Sequence, residues 1–106
     1  MQDENQLEKL QDAGRVMLAL WQNPEEFDAS EIAVLGVIQT RLWEAGTNRV
    51  QVSRVELMRE AEISRATATK AVRRLIEKAV IQRHDMGHKK PFAYSVDVEA
   101  LERLAA

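Results

Sequence analysis

The stretch from residue 52 to residue 95 decides the fold, and it reads VSRVELMREAEISRATATKAVRRLIEKAVIQRHDMGHKKPFAYS. Ser53 and Ser64 stand where a side-chain oxygen can cap the start of a helix. The apolar spacing behind them predicts helices at residues 54–61 and 65–78. Three residues separate the two helices, which leaves room only for a tight turn. The stretch therefore predicts two short helices that pack closely at a turn.

A basic hairpin is predicted directly behind the second helix. Its strands are expected at residues 81–86 and 91–96, and its turn at residues 87–90. Gly87 tolerates the positive φ that hairpin turns often need. One face of the returning strand is predicted to lie on the core through Phe92, Tyr94 and Val96.

An N-terminal helix is predicted at residues 3–23, and it ends at Pro24 because the residue before a proline avoids the helical conformation. Its apolar residues follow a heptad spacing that has two interpretations. The helix packs on its own domain, or it is an arm that pairs with a second subunit. The residues of this seam are Leu7, Leu10, Gly14, Met17 and Trp21.

A central helix is predicted at residues 27–46, with Gly46 at its end. Asp28 or Ser30 can cap its start, and Glu31 stands three residues after Asp28 as in a capping box. Its predicted core face consists of Ile32, Leu35, Ile38 and Leu42, with Val34, Val37 and Trp43 beside it. In the helix at residues 54–61, the residues predicted to turn inward are Val55, Leu57 and Met58.

The element order predicts a mainly α chain with a small antiparallel sheet. A short strand is expected at residues 50–52, and Asp97 is expected to open a last short helix. Residues 26–96 are thus predicted to form a winged helix-turn-helix domain. Residues 1–25 would add an N-terminal helix, a candidate dimerisation arm, and residues 97–106 a C-terminal helix.

The composition excludes several classes of function. A chain of 106 residues fits one small domain, and the absence of cysteine excludes disulfides, thiolate metal sites and a cysteine nucleophile. No catalytic motif or phosphate-cradling glycine loop is present, so no enzymatic activity and no cofactor is predicted. His84 and His88 lack the density of ligands that a metal site needs. The lack of cysteine also favours a cytoplasmic protein.

The charge of the chain is distributed unevenly. The net charge is −2, which argues weakly against nucleic acid as a partner. Residues 1–52 hold four Lys or Arg against nine Asp or Glu, whereas residues 53–95 hold ten against five. Because local charge determines whether a surface binds phosphate, the region of the two helices and the hairpin is the candidate binding region.

Residues 64–81, SRATATKAVRRLIEKAVI, resemble the recognition-helix signature of winged-helix regulators. The likeness is closest to the GntR-type form, S-R-x-T-V-x-x-A-L-x-x-L-x-x-x-G-[LI]-[IL], and similar stretches occur in MarR-like regulators and in phage and plasmid replication proteins. It covers about residues 27–96. Ala79 takes the place of the usual glycine, so a different turn into the first wing strand is expected. Eleven residues follow Ser95, so the effector-binding domain of GntR-type regulators is not expected.

The resemblance implies that the helix at residues 65–78 enters the major groove of DNA and that the wing at residues 86–91 lies on the adjacent minor groove or backbone. Arg65 can pair with a guanine edge, and a salt bridge between Arg74 and Glu77 is the structural alternative for Arg74. The predicted DNA contacts are Ser53, Arg54, Ser64, Arg65, Thr67, Thr69, Lys70, Arg73, Arg74, His88, Lys89 and Lys90.

Three functions remain open at this point. The first is a homodimeric transcription regulator, a repressor of bacterial, phage or plasmid origin associated with the nucleoid. The second is a DNA-binding component of a replication or partition system, and the third is a protein-interaction domain that binds no DNA. The residues predicted to form the dimer contact are Leu7, Leu10, Met17, Trp21, Leu101 and Leu104.

Overall fold

The computed structural model describes Gln11, residues 14–20, Gln22 and residues 25–105. Residues 14–20 are helical and are called α1. The following elements are α2 (Ala29–Ala45), β1 (Val50–Gln51), α3 (Arg54–Ala61), α4 (Arg65–Glu77), β2 (Ile81–His84), β3 (Ala93–Val96) and α5 (Val98–Ala105). The strands form an antiparallel sheet in the order β1-β3-β2. This architecture, a winged helix-turn-helix with an added helix at each end, confirms the predicted fold class.

The helix boundaries follow from local capping. The predicted capping box at Asp28 is present, and the predicted cap at Ser53 is part of a second capping box, completed by Glu56. Because Asp28 is the cap itself, α2 spans fewer residues than the predicted 27–46, and it ends at Gly46 in the left-handed conformation. The turn between α3 and α4 also uses a left-handed residue, Glu62, with a φ of 56°. Arg41 of α2 forms ion pairs with two carboxylates of α3 and so holds the two helices together.

The core lies between α2, the helix-turn-helix pair and the sheet. Its largest fully buried side chains are Leu35, Ile38, Leu57, Leu75, Ile81 and Leu101. The prediction that Val55 turns inward is wrong, because it lies on the side of α3 opposite Leu57 and is 65% exposed. Ile32 and Trp43 are also exposed, since both lie to one side of the buried stripe of α2.

No helix among the described residues is long and apolar enough to cross a bilayer.

The described part of α1 packs on the core of its own chain. Val16 and Ala19 are buried, whereas Met17 of the predicted seam is 71% exposed. Leu101 of α5 is completely buried in the same core, so its predicted role in a dimer contact is wrong. Leu104 is half-buried and packs against that core as well. The remaining predicted dimer residues, Leu7, Leu10 and Trp21, lie outside the described residues.

The wing has shorter strands than predicted. The carboxylate of Asp85 accepts a hydrogen bond from the backbone N–H of Gly87 at 2.9 Å, and this turn ends the first strand early. Gly87 has a φ of 116°, which confirms its predicted role in the turn. Phe92 precedes β3 and is exposed, so the prediction that it lies on the core is wrong. Tyr94 and Ala93 are the buried residues of β3.

The turn after α4 keeps a geometry that usually calls for glycine. Ala79 has a φ of 62°, and its N–H donates to the carbonyl of Ile76 at 2.9 Å. The N–H of Val80 donates to the carbonyl of Leu75 at 3.0 Å, which completes a Schellman motif. The expected change of turn is therefore wrong: the alanine adopts the left-handed conformation in place of the glycine.

Replacing Ala79 by glycine should raise the free energy of unfolding by about 0.5–1 kcal/mol. The left-handed conformation costs an L-residue roughly 1–2 kcal/mol, and the extra freedom that glycine gives the unfolded chain offsets part of this gain. Urea denaturation measures the difference. Ala33→Gly is the control, because the same change inside α2 should cost about 0.5–1 kcal/mol. Equal destabilisation by both changes would contradict the assigned strain at Ala79.

Candidate nucleic-acid interface

The N-terminal half of α4 presents polar and basic side chains on the face opposite the core. Its buried residues are Ala68, Ala71, Val72 and Leu75. The opposite face exposes Arg65, Thr69, Lys70 and Arg73, while Thr67 is half-buried at the edge. The small side chains of Ala68 and Ala71 let the backbone of α4 lie close to its neighbours. The side chains on the outer face take no part in the packing of the core. The structure thus brings these predicted contacts together on one surface.

All four of the predicted hydroxyl contacts already have partners within the chain, and the hydroxyl of Thr67 accepts a hydrogen bond from that of Ser64 at 2.9 Å. The hydroxyl of Ser53 caps α3 by accepting a backbone N–H at 3.1 Å, and that of Ser64 caps α4 in the same way at 3.2 Å. The hydroxyl of Thr69 donates to the carbonyl of Arg65 at 2.9 Å, so it can act toward a ligand only as an acceptor, through its two lone pairs. The capping of α3 also lowers the pKa of Glu56, mainly because its carboxylate accepts the backbone N–H of Ser53.

Arg74 and Lys78 fasten α4 to the start of α2. Arg74 Nη1 lies 3.0 Å from Asp28 Oδ2, and Lys78 Nζ lies 2.7 Å from Glu31 Oε2. Lys78 also contacts the ring of Phe27, 4.6 Å from its centre. The pKa of Asp28 is lowered, mostly by the hydrogen bond from the backbone N–H of Glu31, with Ser30 and Arg74 adding to the effect.

These contacts correct one of the predicted sites. Arg74 was expected on the DNA face, with Glu77 as its alternative partner, but its side chain is directed to Asp28. Glu77 instead forms a loose ion pair with Arg73 on the exposed face, with 3.8 Å between Arg73 Nε and Glu77 Oε1. Arg73 therefore remains in the candidate interface, and Arg74 leaves it.

Most other cations between residues 53 and 95 have no carboxylate partner. Within the described part of the chain, no acidic group lies at ion-pair distance from Arg54, Arg59, Arg65, Lys70, Arg83, Lys89 or Lys90. Lys89 and Lys90 are exposed at the tip of the wing together with His88. Cations left unpaired at the start of α4 and on the wing form a surface that an anionic polymer can neutralise.

The two histidines belong to different environments. His84 Nε2 lies 3.0 Å from the hydroxyl of Ser95 on the neighbouring strand, while His88 is exposed in the turn. Among the residues that the structure describes, no group of three His, Cys, Asp or Glu side chains could hold a metal ion.

Arg83 belongs to this surface and was missed from the sequence. Its guanidinium lies 4.6 Å from the centre of the Phe92 ring, and the strand register places it opposite Tyr94. Burial raises the pKa of the Tyr94 hydroxyl, and the nearby charges of Arg83 and Arg54 act in the opposite direction. The hairpin register was the signal that could have revealed this grouping.

Comparison with known proteins adds no relative: the sequence matches no protein-family model and no curated protein. The assignment of function therefore depends on the surface formed by α4, the start of α3 and the wing.

Proposed function

We propose that this protein binds double-stranded DNA in a sequence-specific manner. In this proposal α4 enters the major groove, and the wing at residues 86–91 contacts the adjacent minor groove or backbone. The observation that carries this proposal is the division of the cations into those that form ion pairs within the chain and those that form none. Arg74 and Lys78 form ion pairs with carboxylates at the start of α2. Arg65, Lys70 and the wing lysines are instead exposed and have no carboxylate partner among the described residues.

We further propose that the protein acts as a homodimeric transcription regulator, a repressor associated with the nucleoid in the cytoplasm. A single domain of this size offers few phosphate contacts, and pairing doubles them and reads a near-palindrome. Support for pairing comes from Met17 and Leu18, which α1 leaves exposed.

Selection of bound fragments from random DNA, followed by footprinting, tests this function. One protected site with two-fold symmetry supports the dimeric regulator, and light scattering should then show a dimer on the DNA. An array of repeated sites supports the replication or partition role instead. If no fragment is retained even at low salt, DNA binding is excluded and the protein-interaction role gains support.

Lys89→Ala should weaken the binding of all DNA sequences about equally. Lys89 lies at the tip of the wing, where its ammonium group would neutralise a phosphate without contacting a base edge. The slope of log affinity against log salt should become less steep by about 1. Arg103→Ala, which removes one exposed positive charge from α5, is the control and should leave the slope unchanged. A change confined to one DNA sequence would contradict the assignment of Lys89 to the backbone.

A further inference from the structure

We infer that Arg54 and Arg83, grouped around the hydroxyl of Tyr94, bind one backbone phosphate of double-stranded DNA at the base of the wing. This inference rests on the proposed function and extends it to residues outside α4 and the wing tip. Arg83 and Tyr94 were not among the contacts predicted from the sequence.

The sheet places Arg83 and Tyr94 on the same side. In the antiparallel pair of β2 and β3, Arg83 is directly opposite Tyr94, and opposite residues project from one face. Tyr94 is buried, so this face is the one that covers the core. Arg83 is exposed on it, which means that its side chain extends beyond the edge of the core into solvent.

The guanidinium of Arg83 packs against an aromatic ring. Phe92 lies two residues before Tyr94, so it projects from the same face, and its exposed ring lies 4.6 Å from the guanidinium carbon of Arg83. Stacking on a ring leaves the N–H groups at the edge of the guanidinium plane able to donate, one of them to the hydroxyl of Tyr94 and the others to a ligand. This contact also explains why an aromatic side chain is exposed before β3.

Arg54 reaches the same place from a different element. Val50 of β1 pairs with Tyr94, and the N–H of Val52 donates to the carbonyl of Phe92 at 3.2 Å. These bonds hold Val52, two residues before Arg54 at the start of α3, against Phe92, the residue before β3. The positive charge of Arg54 is close enough to lower the pKa of the Tyr94 hydroxyl, and so is that of Arg83.

Phosphate is the ligand that this arrangement fits. Two cations that share one neighbour repel each other, and neither has a described carboxylate at ion-pair distance. A guanidinium group can donate two parallel hydrogen bonds to the oxygens of one phosphate. Because the group lies behind the wing tip, a phosphate bound here would set the position of the wing along the DNA backbone.

Arg83→Gln tests the site on a labelled mixed-sequence duplex of about 30 base pairs, roughly three helical turns. We expect affinity at low salt to fall roughly tenfold, the effect of losing a charge-assisted hydrogen bond. The slope of log affinity against log salt should become less steep by about 0.9. Sequence preference should stay unchanged. Arg103→Gln makes the same change on α5 and should match the wild type.

The outcomes separate this inference from the proposed function. If Arg83→Gln behaves like Arg103→Gln while Lys70→Gln binds weakly, the phosphate site is wrong and DNA binding stands. If the wild type itself binds no duplex, the proposed function fails. Thermal unfolding shows whether Arg83→Gln is folded. If it is not, Arg83→Lys decides: weaker binding with an unchanged salt slope supports the site, and wild-type affinity contradicts it.

Discussion

Lys78→Met is expected to lower the free energy of unfolding by roughly 2–4 kcal/mol, because it leaves the carboxylate of Glu31 buried without its cation. Glu31 is 2% exposed, and its only described salt-bridge partner is Lys78, at 2.7 Å. Methionine keeps the length of the aliphatic stem, so the lost packing is small. The effect is smaller than for a fully buried pair because the side chain of Lys78 is 25% exposed.

The double variant Glu31→Gln with Lys78→Met distinguishes the charge effect from packing. Glutamine keeps an oxygen that can accept the N–H of Asp28 in the capping box, and it removes the unpaired charge. We expect the double variant to recover most of the stability lost in Lys78→Met. Urea denaturation at neutral pH measures all three proteins. A loss in Lys78→Met no larger than about 0.5 kcal/mol, the usual effect of a surface substitution, would show that the pair does not hold α4 to α2.

Arg65→Ala is expected to cost about 1–3 kcal/mol of binding free energy on the selected DNA site and to relax the preference at one base pair. Arg65 is the first residue of α4, and this end of a recognition helix meets the base edges. Its guanidinium has no described carboxylate partner, so it can form the paired hydrogen bonds that guanine accepts.

Affinities for the selected site and for each single-base variant of it measure this preference. The change in preference should be confined to Arg65→Ala, since Lys89→Ala should weaken every variant site alike. Arg103→Ala is the control for the loss of an arginine. Equal and negligible effects of Arg65→Ala and Lys89→Ala would mean that the DNA face is assigned to the wrong surface.

The sequence predicted the parts of this fold that depend on neighbouring residues. Ser53, Ser64 and Asp28 begin helices because their side chains accept the N–H group three residues ahead, which a local pattern reveals. Gly46 ends α2 and Gly87 lies in the turn of the wing because both adopt positive φ without strain. The approximate bounds of α2, α3 and α4 and the order of the elements follow from these signals and from the apolar spacing.

Features that depend on distant residues could not be predicted in the same way. The ion pair between Arg74 and Asp28 joins residues 46 positions apart, so a helical pattern on α4 alone shows Arg74 as one more exposed cation. The burial of Leu101 likewise depends on α5 folding back onto the core. The sequence pattern of α5 alone shows an apolar face without a partner, and such a face predicts a dimer contact.

Arg83 is an intermediate case. The predicted turn at residues 87–90 places residues 86 and 91 opposite each other, and the same register continues to Arg83 and Tyr94. The pairing was therefore implicit in the sequence. The contribution of Arg54 was not, because it depends on β1 pairing with β3, which brings the start of α3 to the wing.

The affinity of the wild-type protein for double-stranded DNA, measured over a range of salt concentrations, tests the central claim most directly. We predict binding at low salt and a linear fall of log affinity with log salt, with a slope of about −0.9 for each phosphate neutralised and several phosphates in total. Substituting Lys70 and Lys89 together should make the slope less steep by about 2. No binding at low salt, or an affinity that does not depend on salt, would contradict the proposed DNA-binding surface.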